Sequence, residues 1–388
     1  MGWRGLNQPQ EDSILDKIWV TVITGFLGSG KTTLLNTLLN HSAMSQAAVI
    51  VNEFGEVGLD YDLIEKSDEN VVQLANGCLC CTVKSDLIDT FRDLQIQRNA
   101  GTIPYFDRVI IETTGIADPG PVLQIILTNP MVVNHYALDG VVTTADAING
   151  ISSLDRFPEC VKQAAIADRI VLTKVDLVDD DSQIKTLHER LRTLNPAAPI
   201  IETATVDADP ADLFGSGMFD ADTKQVDLRA WLNPEAYKNR PDSDKVKADT
   251  AMSEPDAAAL AYYSEHGHAP DTAHNHDAAI NSFVLVREKP ISLNMLSMFL
   301  EGLTNEAGPD LLRVKGIVNI EERPDEPGVI QGAQQIFHSL EFLDGWPNDD
   351  RRTRIVFITR NIDQHYIEET FELIERVAQR TLAAATDL

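Results

Sequence analysis

Lys31 and Thr32 are the first residues in this chain whose types and spacing could do chemistry. They close the run Gly25-Phe26-Leu27-Gly28-Ser29-Gly30-Lys31-Thr32, which fits G-x-x-x-x-G-K-[ST]. That pattern makes a loop that wraps the phosphates of a nucleoside triphosphate. Gly25, Gly28 and Gly30 can adopt positive φ and let backbone approach a ligand closely. The N–H groups of the loop, Ser29 and Thr33 included, then face phosphate oxygens at a helix N-terminus, whose dipole favours negative charge. Lys31 would reach the β- and γ-phosphates, and the Thr32 hydroxyl would ligate Mg²⁺. The alternative is a glycine-rich strand–helix turn with no ligand, and the flanking sequence decides between the two.

Two further constellations continue this chemistry. Glu112-Thr113-Thr114-Gly115 offers an acid for Mg²⁺ and its water, and Gly115 offers an N–H to sense the γ-phosphate. Thr173-Lys174-Val175-Asp176 matches a base-reading x-K-x-D loop, with Thr173 where Asn is usual. Asp176 would accept hydrogen bonds from guanine N1 and N2, a pattern adenine does not offer, and Lys174 would lay its aliphatic stem on the base. A site built on such hydrogen bonds discriminates strongly, so GTP and GDP are the expected nucleotides.

A different chemistry stands in Gly77-Cys78-Leu79-Cys80-Cys81, three thiols within four residues. Thiolates select Zn²⁺, Cu⁺ or similar ions, and zinc prefers four ligands. Three local thiolates leave one position open, which suits transfer better than permanent structure. A redox-active cluster and a structural zinc site are the competing readings. Cys160 stands alone and reads as packing. A second group, His266, His268, His274 and His276, puts four imidazoles in eleven residues. It reads either as a metal chelator or as solvated linker.

These residues need elements to position them. Ile18-Trp19-Val20-Thr21-Val22-Ile23-Thr24 reads as a buried parallel strand before the first loop, and Thr33 to Asn40 as a leucine-bearing helix after it. Strands are also expected at Ala47–Val51, Val71–Leu74, Arg108–Glu112, Leu138–Val142, Ala167–Leu172 and Pro199–Glu202, mostly separated by helical stretches such as Asp86 to Arg98. Repeated β-α units predict an α/β fold with a mainly parallel sheet, and ligands at the carboxyl ends of its strands. From about Val206 the chain turns rich in Asp, Ala and Pro. Short helices can occur up to Tyr237, and strand character resumes at Ser282–Val286. Leu293 to Leu303 reads as a helix. Leu311–Ile320, Gly328–Gln331, Gln335–Leu343 and Arg354–Ile358 read as strands, and Asp363 as the N-cap of a last helix through about Arg380. The predicted organisation is a tail over 1–16, a P-loop domain over 17–215, an acidic connector over 216–280 and a smaller α+β domain over 281–388.

Composition narrows the partners. Across 388 residues, 60 acidic against 32 basic side chains give a formal charge of −28. Such a surface repels nucleic acid and anionic membranes. It suits a salt-rich cytosol or an ordinary acidic enzyme alike. No run approaches the ~18 apolar residues of a transmembrane helix, and Met1 to Asp16 lacks the layout of a secretion signal. A cytoplasmic location is expected, and the four cysteines are too few and too clustered for a disulfide framework.

The order of these motifs resembles that of CobW/YjiA-type GTPases, the family of the zinc-regulated GTPase metalloprotein activators. The resemblance rests on Gly25–Thr33, Asn52-Glu53-Phe54-Gly55-Glu56, Gly77–Cys81, Glu112–Gly115, Ala117-Asp118-Pro119-Gly120-Pro121 and Thr173–Asp176. Leu311-Leu312-Arg313-Val314-Lys315-Gly316 and Thr353–Thr359 carry it into the C-terminal part. It implies a P-loop NTPase fold followed by a CobW C-terminal domain, and slow GTP hydrolysis, with Lys31 and Glu112 as catalytic residues. It also implies that metal is held at Cys78, Cys80 and Cys81, with Glu56 as an added ligand, and delivered to a client metalloprotein. Many relatives carry Glu just before the Asn of the second loop; Val51 stands there in this chain. Zn²⁺ is the metal implied, and Co²⁺ fits the same thiolates. A nucleotide-gated zinc buffer without a client, a cobalt carrier for cobalamin synthesis and a homo-oligomer are compatible with the same residues.

Overall fold

The computed structural model describes residues 17–51, 73–75, 83–203, 208–215, 280–333, 336–337 and 340–386. Two sheets organise them. The first has seven strands: β1 (Ile18–Gly25), β2 (Ala47–Val51), β3 (Gln73–Ala75), β4 (Arg108–Glu112), β5 (Tyr136–Asp146), β6 (Arg169–Thr173) and β7 (Ile200–Glu202). Their spatial order is β3-β2-β4-β1-β5-β6-β7, and every pairing is parallel. Strands buried on both faces need continuous apolar runs, and β1, β2 and β4 are buried along almost their whole length.

Helices cover both faces. They are α1 (Lys31–Leu39), α2 (Val83–Ala100), α3 (Gly120–Thr128), α4 (Pro130–His135), α5 (Gly150–Arg156), α6 (Pro158–Ile166), α7 (Asp181–Leu194) and α8 (Pro210–Leu213). Leu34, Leu35 and Leu38 of α1 pack under one face with Ile23, Val49 and Ile110. Phe91 and Leu94 of α2 and Leu123 and Ile126 of α3 fill the other, against Val20, Val22 and Val109. β5 is longer than the Leu138–Val142 run expected from sequence, and its extra turn of chain carries Thr143 to Asp146 to the carboxyl edge.

The second sheet is antiparallel. It comprises β8 (Ile280–Arg287), β9 (Leu311–Ile320), β10 (Arg323–Ala333), β11 (Ile336–Phe337), β12 (Glu341–Phe342) and β13 (Thr353–Arg360), in the order β11-β10-β9-β13-β8 with β12 on β10. The single strand expected over Gln335–Leu343 is two short pieces, both pairing β10. α9 (Leu293–Ala307) and α10 (Gln364–Thr386) cover one face, where Phe299, Phe357 and Phe371 meet edge to face. Asp363 caps α10 as expected, its Oδ1 accepting from the Tyr366 N–H at 2.8 Å.

The second sheet packs onto helices that cover the first. Leu312, Ala333 and Ile358 of the second sheet lie buried with Leu123 of α3 and with Ala165 and Ile166 of α6. Beside this contact, buried Asp168 faces Arg313, whose Nη2 donates to Oδ2 at 3.2 Å, and Lys315, which pairs with Oδ1. Burial pushes the Asp168 carboxyl up, but Arg313 and Lys315 outweigh it and hold the group below the ordinary Asp value.

Candidate functional site

β1 ends in the glycine loop, and α1 starts directly behind it. Gly25, Gly28 and Gly30 all have positive φ, at 141°, 69° and 86°. At Gly25 space adds to the conformational demand: a Cβ there would lie 2.5 Å from the carbonyl oxygen of Thr144. Ser29 is buried, and its hydroxyl shares a 2.6 Å hydrogen bond with the Thr144 hydroxyl. Gly30 caps α1 in the left-handed region, with no side-chain cap and no acidic residue in the first turn. The first N–H groups of a helix have no partners inside it. Thr33 lies exposed on that first turn. Lys31 bends back over the loop, its Nζ donating to the Gly25 and Phe26 carbonyls at 2.9 and 3.1 Å.

Glu112, at the end of β4, is almost fully buried. Its Oε1 accepts from the Thr32 hydroxyl at 2.7 Å. The Thr113 N–H donates to the Ile23 carbonyl at 2.9 Å, and its hydroxyl donates to that of Thr24, also at 2.9 Å. These bonds fix where the chain leaves β4. Gly115 follows and sits against the glycine loop, where a Cβ would lie 2.6 Å from the Leu27 nitrogen. A hydroxyl and a carboxylate held together beside a phosphate-binding loop are hard oxygen donors, a set that fits Mg²⁺.

β6 delivers the third motif. Thr173 is buried and its hydroxyl donates to the Ser29 carbonyl at 2.8 Å. Lys174 has φ 59°, and its ammonium bonds Asp146 Oδ2 at 2.7 Å. Asp176 lies exposed in a single 3₁₀ turn, Val175–Leu177. Burial raises the Asp146 carboxyl, but hydrogen bonds from Lys174, Asn149 and the Ile148 N–H, with the Lys174 charge, leave it below the ordinary value.

Glu56, Cys78, Cys80, Cys81 and the four connector histidines lie outside the described residues. Among the described residues no group of three or more His, Cys, Asp or Glu is arranged to hold a metal, and no helix is long and apolar enough to cross a membrane. Cys160 is buried on α6 within the core formed with Leu154, Ala164 and Leu191. Burial, then the neighbouring Glu159 charge, pushes its thiol up to about 12. The strand end that leads into the cysteine segment, Ala75 of β3, is described, as are its neighbours in the sheet. In register, Val51 pairs with Ala75 on one side and with Glu112 on the other.

Sequence reasoning missed three contributors. Thr144 and Asp146, on the long end of β5, and Gln163, on α6, join Phe26, Ser29 and Lys174 around a cavity of about 290 Å³ beside the glycine loop. A polar Thr-Thr-Ala-Asp ending on an apolar strand is a readable signal for the first two. A glutamine inside a short helix carries none.

Comparison with known proteins agrees with this geometry. Residues 19–202 match the CobW/HypB/UreG nucleotide-binding domain, and residues 280–374 match the cobalamin synthesis protein CobW C-terminal domain. The chain is 31% identical over 357 residues to the zinc chaperone YjiA of Escherichia coli, covering 92% of this chain and 98% of that one. It is 30% identical over 376 residues to zinc-regulated GTPase metalloprotein activator 1 of Schizosaccharomyces pombe, covering 90% and 84%. Among solved structures, the Zn(II)-bound YjiA GTPase from E. coli aligns with a TM-score of 0.60 at 27% identity, over 92% of this chain and 99% of that one. Both family domains in order, on a parallel sheet that carries the glycine loop, Glu112 and the Thr173–Asp176 turn, place this chain in the CobW family of P-loop GTPases.

Proposed function

We propose that this GTPase is a metal carrier: it holds zinc at Cys78, Cys80 and Cys81, with Glu56 as a further ligand, and gives it up to a client metalloprotein under nucleotide control. The observation that carries this reading is the register at the sheet edge. The chain segments following Val51, Ala75 and Glu112 all leave adjacent strand ends. The loop bearing Glu56, the loop bearing the cysteines and the loop bearing Gly115 therefore start side by side. Relatives named zinc chaperones support zinc as the cargo, and Co²⁺ is accepted by the same thiolate chemistry.

The residues then have distinct roles. Gly28, Gly30 and Thr33 present backbone N–H groups to the phosphates, Ser29 closes the loop by donating its own N–H to the Phe26 carbonyl at 3.1 Å, Lys31 adds a cation, and Lys174 and Asp176 hold guanine. Thr32 and Glu112 would hold Mg²⁺, which when bound neutralises charge on the phosphate oxygens. Glu112 also accepts a hydrogen bond from the Thr32 hydroxyl. Gly115 reports the γ-phosphate through its N–H, and loss of that contact frees the neighbouring loops to relax.

Coupling of this kind is reciprocal, so GTP tightens zinc by the factor by which zinc tightens GTP. A hundredfold effect corresponds to about 2.7 kcal/mol. The test is zinc titration of the full chain with a non-hydrolysable GTP analogue or with GDP bound. Tighter zinc in the triphosphate state is expected, and equal affinities end the proposal. Cys80→Ala should lose zinc while keeping basal hydrolysis.

A further inference from the structure

Gln163 belongs to no motif, yet it is buried to 1% exposure on the α6 face that meets the γ-phosphate loop. Its Nε2 donates to two backbone carbonyls of that loop, Gly115 at 3.3 Å and Ala117 at 3.1 Å. Its own backbone carbonyl accepts from the Thr143 hydroxyl at 2.8 Å, which ties this point of α6 to β5. The amide orientation follows from its partners. Turned over, Oε1 would face two carbonyl oxygens, whereas in the present pose Oε1 has no hydrogen-bond partner among the described residues. One residue earlier, Lys162 reaches Asp118 at 3.3 Å and holds the same segment from the half-exposed side.

We propose that Gln163 is a positioning residue for GTP hydrolysis: it fixes the Gly115–Ala117 segment so that the Gly115 N–H stands ready for the γ-phosphate. Gly115 has no Cβ and is pressed against the Leu27 backbone, so nothing on the residue itself sets its orientation. The two hydrogen bonds from Gln163 do so from behind. A side chain in this role needs a rigid support, and α6 has one. Two residues past its end, Asp168 is bonded to the β5 backbone through the Val141 N–H at 2.8 Å and is held by Arg313 and Lys315 of β9. The second domain thus stiffens the helix that carries Gln163. GDP has no γ-phosphate to meet Gly115, so the role concerns the triphosphate alone.

Gln163→Met keeps the volume and removes the donor. With the full chain and Mg²⁺, its affinity for a non-hydrolysable GTP analogue should fall about tenfold, or ~1.4 kcal/mol. Its GDP affinity should stay near the wild-type value, its thermal midpoint should fall because two carbonyls lose their donor, and kcat should fall as well. Gln163→Glu, an acceptor facing two carbonyls, should behave like Gln163→Met or worse. An unchanged ratio of triphosphate to diphosphate affinity in Gln163→Met overturns the proposal, whether both affinities fall or neither does. The wild-type chain supplies a measurement that needs no variant to fold. Amide exchange over 113–118 should slow with the GTP analogue relative to GDP, and exchange in α6 should slow with it. Slowing at 113–118 with no response in α6 also overturns the proposal.

Discussion

The hydroxyl of Thr173 donates to the carbonyl oxygen of Ser29 at 2.8 Å, across 144 residues of chain. One hydrogen bond thus joins the end of β6 to the middle of the glycine loop. Asn is the usual residue at this position in such loops; here a threonine makes the link with a shorter side chain. Thr173→Val keeps the shape and leaves a buried carbonyl unpaired, at about 1–3 kcal/mol. Because Ser29 serves both nucleotides, affinities for GTP and GDP should fall together by about tenfold or more. Fluorescent-nucleotide titration checks this, and a loss confined to one nucleotide contradicts it.

Lys31 and Glu112 should separate cleanly in kinetics. Lys31→Ala removes the cation that crosses the loop and should abolish binding of either nucleotide. Glu112→Gln keeps the hydrogen-bond acceptor for Thr32 but loses the charge. It should still bind GDP, while the Mg²⁺ concentration for half-maximal hydrolysis rises about tenfold or more, as expected when a hard divalent ion loses a carboxylate donor. Phosphate release followed across a Mg²⁺ series reads both variants.

Asp168 should govern the acid limb of stability. Its carboxyl is held below the ordinary Asp value in the folded chain, so the unfolded chain takes up the proton more readily. The stabilisation is therefore full above the ordinary Asp range and is lost as pH falls through the lowered value. Asp168→Asn removes the carboxylate that Arg313 and Lys315 share. At neutral pH that should destabilise by about 3–5 kcal/mol, the range found when one partner of a buried pair is removed. Urea unfolding at neutral and at acid pH tests both parts, and the difference between wild type and variant should shrink in acid.

Cys160 should be chemically silent. With its thiol pushed up to about 12 by burial and by Glu159, almost none is thiolate at pH 8. Iodoacetamide at that pH should leave Cys160 unmodified in the native chain and label it after denaturation, as mass spectrometry of its peptide would show. Modification of Cys160 under native conditions would contradict its packing role.

The parts of the site that sequence exposed are those built from neighbours in the chain. Gly25 to Thr32 must be contiguous to wrap phosphates, and Glu112 to Gly115 must follow one strand end, so local pattern reveals both. The remaining parts are pairings between distant residues. Lys174 reads as a base-stacking stem, yet its ammonium is tied to Asp146, 28 residues away, a contact created only because β5 lies beside β6. Arg313 and Lys315 are legible as part of a family motif, but their partner Asp168 is set by the docking of two sheets. Gln163 is silent for the same reason: its meaning comes from two backbone carbonyls, which leave no trace in residue type. The fold followed the same division. Buried strands such as Arg108–Glu112 announce themselves by apolar runs, while the short pieces β11 and β12 depend on β10 for their extent.

The seam between the sheets has a consequence for how the chain could be divided. Leu312, Ala333 and Ile358 are buried with residues of α3 and α6, and two cations from across the seam, Arg313 and Lys315, face the buried Asp168. The buried contact itself should then hold the halves together without covalent continuity between Gly215 and Ile280. A polypeptide ending near Gly215 and another beginning near Ile280 should recognise each other as a heterodimer, and the hydrolytic half should depend on its separately supplied mate.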